Sequence, residues 1–305
     1  MKYGSQYGPL YSGSIDLEDY QEWDNLIQNN EITSEEKEIL IAMSSNEGNL
    51  DAIQSYDSEA LSVGAMQKTV NSQGKGEFPI QVKEFKDAYP EKYEELFEKC
   101  GWTVETVRGK QVMYYKDPND SSGSKVTGSQ LKEKIREGFT SSTHLQKLEC
   151  KPLEPIIQAA KDSDFQSKQV KDFIDRLKNK VLPMKPSGYN YRIKDYLKSK
   201  LGEATVLDHH INRPAHVRSY FSEALNQFFS KKDEETNNYN NGKEENQKID
   251  YISKNPNDWG NNQSTYEKEL LDIYGPLRGQ SVGNVDVSNA MTDAVLRYNH
   301  LKNKL

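Results

Sequence analysis

Glu47 stands at the end of a well-signalled helix and is followed at once by a glycine, a position from which a carboxyl group can do acid chemistry. The stretch Thr33 to Gln67 reads TSEEKEILIAMSSNEGNLDAIQSYDSEALSVGAMQ. Thr33 with Glu36 makes a capping box, which starts the helix at Ser34. Leu40, Met43 and Glu47 fall at i, i+3 and i+7, so Glu47 shares the apolar side, and Gly48 suits the left-handed position beyond the helix end. Partial desolvation and the negative end of the helix dipole both oppose ionisation of such a carboxyl. A Glu that stays protonated near neutral pH can give its proton to the leaving oxygen of a glycosidic bond. The plainer role for the same residue is to cap a surface turn. Asp57 supplies a second carboxylate, and Asp51 and Glu59 flank it as alternatives that read as solvated turn residues.

Glu47-Gly48, Tyr56-Asp57 and Ser62-Val63-Gly64-Ala65-Met66-Gln67 together resemble the active-site stretch of the lysozyme superfamily. Phage-type lysozymes show Glu-Gly, then a Tyr and an Asp at the spacing of Tyr56-Asp57, then Thr-x-Gly where Ser62-Val63-Gly64 stands. Soluble lytic transglycosylases show a Glu and then Gly-Leu-Met-Gln, similar to Gly64-Ala65-Met66-Gln67. The resemblance implies that Glu47 is the general acid and Asp57 the second carboxylate or the holder of a water. It puts Ser62 in the place of the phage-type Thr, and Tyr56 and Gln67 along the sugar groove. Ser62 departs from Thr and Ala65 from Leu, so the branch stays open. Gly76-Glu77-Phe78-Pro79 with the Tyr/Phe-rich helix after it, and Leu207-Asp208-His209-His210-Ile211-Asn212-Arg213-Pro214, resemble lysozyme-like proteins of phages and of contractile injection or type VI secretion systems.

What the resemblance implies is an α+β, mostly α-helical, lysozyme-like fold with a small β segment at about Leu50 to Gln67 and a helical lobe. The implied activity is cleavage of the β-1,4 bond between N-acetylmuramic acid and N-acetylglucosamine in peptidoglycan, as a muramidase or a lytic transglycosylase, with no cofactor. The implied partner is peptidoglycan or a related β-1,4-linked amino-sugar polymer, and an immunity or delivery protein is a further partner it admits. Two other readings stand beside it: a chitinase or chitosanase of the same superfamily, and a non-catalytic glycan-binding or structural component of a secretion or phage-like particle.

The densest polar cluster is Asp208, His209, His210, Asn212, Arg213 and His216. His210 and His216 are six apart and the H-x-x-x-H spacing of a helical metal site is absent, so no metal is expected. In the functional reading His210, Asn212 and Arg213 border the cleft and bind sugar or stem-peptide groups. In the structural one Asp208 caps or bridges and Arg213 pairs with a carboxylate. Trp23, Trp102 and Trp259 read as packing residues with the indole N–H near a partner. Cys100 and Cys150 form no C-x-x-C pattern and read as thiols, Cys100 in a core. No G-x-S-x-G elbow is present, and Gly123 to Gly128 (GSKVTG) lacks the ending of a phosphate-binding loop.

The elements that must position these groups are largely helical. Apolar periodicity predicts helices at Asp19–Gln28, Ser34–Asn46, Gln81–Ala88, Glu91–Cys100, Ser129–Glu137, Leu153–Ala160, Ser167–Lys180, Tyr191–Lys200, His216–Phe229, Tyr266–Tyr274 and Ser288–Lys304. Pro90 opens and Gly101 closes the fourth of these. Trp102 to Lys116 reads as a β-hairpin around Arg108-Gly109-Lys110, and Asp117 to Gly123 as a loop. Met1 to Ser14 reads as an irregular arm or first strand, and Lys231 to Gln247 as a mobile polar insertion without apolar periodicity. The expected organisation is an arm and first helix at 1–30 followed by one domain at 31–305.

The chain has 305 residues, enough for a substantial core, and 29% of them are charged. A net charge of −7 argues against nucleic-acid binding, which rests on phosphate neutralisation, and gives no electrostatic help in approaching an anionic wall. No apolar run approaches the roughly 20 residues of a membrane span, and the N-terminus shows no signal peptide. The expected location is the cytoplasm until delivery or release, with action in the periplasm or cell wall.

Overall fold

The computed structural model describes residues 2–3, 6–139, 144–145, 152–283, 286 and 290–305. Cys150 and the opening of the helix expected at Ser288–Lys304 lie outside the described residues. The architecture is α+β and mostly helical. It divides into two compact units, Met1–Glu31 with Glu47–Phe173, and Ile32–Asn46 with Ile174–Leu305, a division different from the 1–30 and 31–305 split. The N-terminal arm belongs to the first unit because its third strand is hydrogen-bonded into the sheet there.

The first unit runs through β1 (Lys2–Tyr3), β2 (Gln6–Tyr7), β3 (Leu10–Tyr11), α1 (Trp23–Gln28) and the last residue of α2 (Ser34–Glu47). Then follow β4 (Ile53–Gln54), β5 (Leu61–Val63), β6 (Lys68–Val70), α3 (Glu77–Ala88) and α4 (Pro90–Tyr93). β7 (Trp102–Val107), β8 (Lys110–Tyr115), α5 (Gly128–Arg136), β9 (His144–Leu145), α6 (Leu153–Ala159) and most of α7 (Ser163–Asp175) complete it. α1 begins at Trp23 rather than Asp19, because the preceding residues form tight turns closed by Asp19 N→Asp16 O and Tyr20 N→Leu17 O.

The main sheet has the order β6-β5-β4-β3-β9, antiparallel except for the parallel β3–β9 pair. Its register sets Gln54 opposite Ser62 and Ser62 opposite Thr69, one polar row across three strands. Alternation sends Ile53, Leu61, Val63 and Val70 to the other face, where they join the core with Phe78, Phe85, Phe97, Trp102, Leu131, Ile156 and Phe165. Phe85, Phe97 and Phe165 meet edge to face, with centroids 5.1 to 6.2 Å apart. β7 and β8 pair as a hairpin whose loop residues, Arg108 (φ 50°) and Gly109 (φ 73°), both take the positive φ of a type I′ turn. The helix expected at Glu91–Cys100 starts at Pro90 and widens into a π turn over Glu94–Glu98, with Lys99 N→Glu94 O at 2.8 Å.

The second unit holds the body of α2, the end of α7 with a π turn at Arg176–Val181, α8 (Ile193–Tyr196), α9 (Lys200–Asn212), α10 (Val217–Asn240), α11 (Gln263–Leu277) and α12 (Ala294–Lys304). Tyr196, Phe221, Phe228, Trp259 and Tyr274 form its aromatic core. The helix expected over Tyr191–Lys200 is only four residues long, because the Glu267 carboxylate takes the amides of Lys198 and Ser199 and Ser199 then caps α9 through Gly202 N. Lys231 to Asn240 is not an irregular stretch but the continuation of α10. Lys231 and Lys232 pair with Glu269, and Lys232 also with Glu235 at 2.9 Å. Extending a helix already nucleated by Val217, Tyr220, Phe221 and Ala224 adds one hydrogen bond per residue ordered, so charged residues prolong it. Among the described residues no helix is long and apolar enough to cross a membrane.

Glu203, in the first turn of α9, lies among Glu36, Glu267 and Glu35. Burial, followed by those three carboxylates, raises its pKa to about 7. Between the ordinary carboxylate range and that value the folded chain holds a proton that the unfolded chain releases, so stability falls as pH rises through this window. The variant Glu203→Gln is expected to melt several degrees above the wild type near pH 8 and about level with it near pH 5, as thermal unfolding followed by circular dichroism will read.

Candidate active site

α2 begins as its sequence dictates, with Thr33 Oγ1 taking Glu36 N and the Glu36 carboxylate taking Thr33 N. Glu47 is its last residue and is half-buried. Gly48 follows with φ 145°, a conformation closed to side chains, though not the left-handed cap expected of it. A Cβ there would lie 3.1 Å from the Ala52 Cβ and 3.5 Å from Gln67 Nε2, which locates the Gln67 amide beside the turn that leaves Glu47. Gln67 itself has φ 47° and donates from Nε2 to Gly64 O at 3.0 Å. Its Oε1 is buried without a hydrogen-bond partner among the described residues. Such an orphan acceptor at a strained residue is a feature a ligand N–H or hydroxyl would satisfy.

Tyr56, Asp57 and Glu59 occupy the turn joining β4 to β5, and all three are half-buried. Asp57 Oδ1 accepts the Glu59 amide at 2.9 Å. Burial raises the Asp57 pKa, opposed by that hydrogen bond and by the nearby charges of Arg136 and Lys132. Burial and then the Asp57 charge raise the Glu59 pKa, and burial and then Asp57 do the same for the Tyr56 phenol. The turn therefore carries two carboxyls that resist ionising together. Ser62 lies in the polar row of β5 and is buried at 2% exposure.

Asp51 is not the solvated turn residue expected. It is buried and accepts Ser14 N at 2.7 Å, Ile15 N at 2.9 Å, Ser14 Oγ at 3.1 Å and Tyr11 Oη at 3.2 Å, which ties the N-terminal arm down. Glu59 departs from the same expectation by its partial burial. Beneath the sheet, Lys68 and Lys168 pair with Asp172, and Gln81 Nε2 donates to it at 2.7 Å. Burial pushes the Asp172 carboxyl up, but the two lysines outweigh it and hold the group below its usual range.

His210, Asn212 and Arg213 fall in the second unit, at the end of α9. Asn212 is exposed and donates from Nδ2 to Asp208 O at 2.9 Å, His210 is buried, and Arg213 is half-buried. Asp208 is fully buried and bridges two arginines, Arg278 Nη1 at 2.8 Å and the Arg297 guanidinium through Nε at 3.1 Å. Asn46, the residue before Glu47, is held by the same group. Its Nδ2 donates to Asp208 Oδ1 at 3.3 Å, its carbonyl accepts Arg297 Nη1 at 3.0 Å, and its Oδ1 lies 2.8 Å from His300 Nδ1. His209 Nδ1 meets Tyr274 Oη at 2.7 Å, and burial followed by the nearby Arg278 charge holds its imidazole neutral. This is a structural ion network; the sequence offered Asp208 as a cap or bridge in one of two open readings and did not reveal its partners.

Trp23, Trp102 and Trp259 are buried, each donating its indole N–H to a carbonyl, of Leu17, Pro152 and Ser253 respectively, at 2.9 Å. Cys100 is a half-exposed free thiol rather than a core residue, since it sits on the turn that ends the π segment. Among the described residues no group of three or more His, Cys, Asp or Glu is arranged to hold a metal ion. A cavity of about 1020 Å³ lies along α5, with Lys125, Ser129, Lys132 and Arg136 in its lining, and neither Glu47 nor Asp57 lines it. No family model, no curated protein and no solved structure matches this chain.

Removing the Asp208 charge leaves the fully buried Arg278 without its carboxylate. Asp208→Asn is expected to lower unfolding free energy by about 3 kcal/mol. Urea denaturation will measure this, and a midpoint unchanged from wild type would show that the network does not hold the second unit together.

Proposed function

We propose that this chain is a glycoside hydrolase of the lysozyme superfamily that cleaves the β-1,4 bond of peptidoglycan, with Glu47 as the general acid. The observation that carries the reading is the order of elements along the chain. A helix ends on Glu47, turns through a positive-φ glycine, and is followed by an antiparallel meander whose first turn bears the half-buried Asp57. Together with the resemblance of Glu47-Gly48, Tyr56-Asp57 and Ser62 to Gln67, that order supports the reading.

The chemistry then assigns complementary roles to two carboxyls. Glu47, in its protonated form, donates to the glycosidic oxygen as the bond to the anomeric carbon breaks. Asp57, in its ionised form, stabilises the positive charge that develops on the sugar or orients the water that attacks it. The raised pKa of Asp57 sets the acid side of the activity profile, since the group must lose its proton to act. Gln67 Oε1 is an acceptor that a sugar hydroxyl or acetamido N–H would satisfy, while Ser62 stands buried in the polar row of the sheet. Asp51 and Asp172 are both engaged in buried structural networks, which favours Asp57, with its neighbour Glu59, for the second role.

Delivery into the periplasm or cell wall from the cytoplasm is part of the same proposal, as is an immunity or delivery protein that contains the activity. Purified peptidoglycan digested with wild type, Glu47→Gln and Asp57→Asn, followed by mass spectrometry of released muropeptides, tests the reading. Release by wild type and a loss of about 10²–10⁴-fold in Glu47→Gln are expected. Reducing ends would make the enzyme a muramidase and 1,6-anhydro ends a lytic transglycosylase. Cleavage of chitin oligomers alone would move the substrate to that class, and no cleavage of either polymer by folded wild type would sink the enzymatic reading.

A further inference from the structure

The turn that bears Asp57 is anchored at both ends but not in its middle. Ser55 N donates to Pro9 O at 2.9 Å, Ser55 Oγ donates to Ala60 O at 2.6 Å, and Ala60 N donates to Val70 O at 2.8 Å. Between these points the carbonyls of Asp57, Ser58 and Glu59 have no strand to pair with. Two cations from α5 take them. Arg136 Nη2 donates to Asp57 O at 2.8 Å and to Glu59 O at 3.3 Å, and Arg136 Nε reaches Ser55 Oγ at 3.4 Å. Lys132 Nζ donates to Ser58 O at 2.8 Å.

Lys132 and Arg136 are one helical turn apart, so both project from the same side of α5. Only a guanidinium offers a rigid fork that can serve three acceptors along a bent backbone. These bonds end on main-chain and hydroxyl oxygens, while the Asp57 carboxylate takes its hydrogen bond from the Glu59 amide. The cations therefore fix the turn and act on the carboxylate through space.

We infer that Arg136, assisted by Lys132, is a positioning residue for Asp57: it clamps the acid-bearing turn by its carbonyls and supplies the positive field in which the carboxylate works. The inference rests on the function proposed above, and it adds residues that neither the sequence pattern nor the resemblance assigns. Among the described residues, the charged and titratable groups facing Asp57 are Tyr56 and Glu59 from its own turn and Lys132 and Arg136 from α5. Burial drives the Asp57 pKa up, and Arg136 and Lys132 are the charges that oppose it. Loss of the Arg136 charge therefore moves the ionised fraction of Asp57 to higher pH.

Three variants, Arg136→Gln, Arg136→Lys and Lys132→Gln, separate charge from geometry. Selective carbon-13 labelling of aspartate carboxyls and titration by NMR reads Asp57 directly, with Asp57→Asn assigning the resonance. A pH profile of muropeptide release gives the second readout. Arg136→Gln is expected to move both the Asp57 midpoint and the acid limb to higher pH, cutting activity on that limb about tenfold. Arg136→Lys is expected to keep the limb near the wild-type position while lowering kcat, because it keeps the charge and loses the fork. Lys132→Gln should shift the limb in the same direction by less, and it carries the test if Arg136→Gln fails to fold. An Asp57 midpoint unchanged in folded Arg136→Gln and Lys132→Gln would overturn the inference. The NMR arm reads this without any activity, so a wild type that cleaves no glycan defeats the function proposal alone.

Discussion

A carboxylate with no access to water is tolerated only when cations and donors replace its hydration, and in the second unit that condition organises the packing. Asp208 meets it with Arg278 from the residue just after α11 and Arg297 from α12, while Asn46 from α2 adds a hydrogen bond. The same arginines satisfy the carbonyls of Thr205, Ala294 and Asn46. Four separated stretches of chain thus converge on one anion, and none of their helices could shift without exposing a charge to an apolar interior. The end of the helix that carries Glu47 is among the things so fixed, through the residue immediately before it.

The first unit solves a related problem in the opposite way. There Asp57 is only half-buried, and the hydrogen bonds of Arg136 and Lys132 described above end on the carbonyls of the turn around it. A direct Arg–carboxylate pair would bind Asp57 more tightly and lower its basicity. In the proposed site, pairing the turn's carbonyls would keep the acid both rigid and reactive, a division of labour that preorganised sites require. Asp172 shows the contrast, since its direct pairing with Lys68 and Lys168 makes it a structural strut.

Local signals carried much of this architecture. The capping box at Thr33 and Glu36, the Pro90 and Gly101 brackets and the Arg108-Gly109 turn are short-range chemistry, and each element appears where its residues predict it. α9 escaped the periodicity reading because Gly202 and Ala204 to His210 include buried residues on every side, so no polar face marks the helix. The end of α10 escaped for the converse reason: beyond Phe229 there is no apolar stripe, and order comes from helix propagation and from Glu269, some forty residues on. At the candidate site, the acid at the helix end and the turn acid were legible as residue types at a spacing. Arg136 was not, because a partnership between side chain and carbonyl across this span of chain leaves no trace in composition. A basic i, i+4 pair on the helix expected at Ser129–Glu137 was its only outward sign.

The contrast between α9 and the far end of α10 has a bearing on how the second unit opens. Residues 204–210 in the middle of α9 are all buried, so exchange of their amides with deuterium requires the whole unit to come apart. Those of residues 231–240 lie on a surface helix end held mainly by ion pairs, which salt screens, so they exchange through fraying that leaves the core intact. The protein thus carries two internal clocks on neighbouring stretches of sequence, one reporting global unfolding and the other the ionic strength around it.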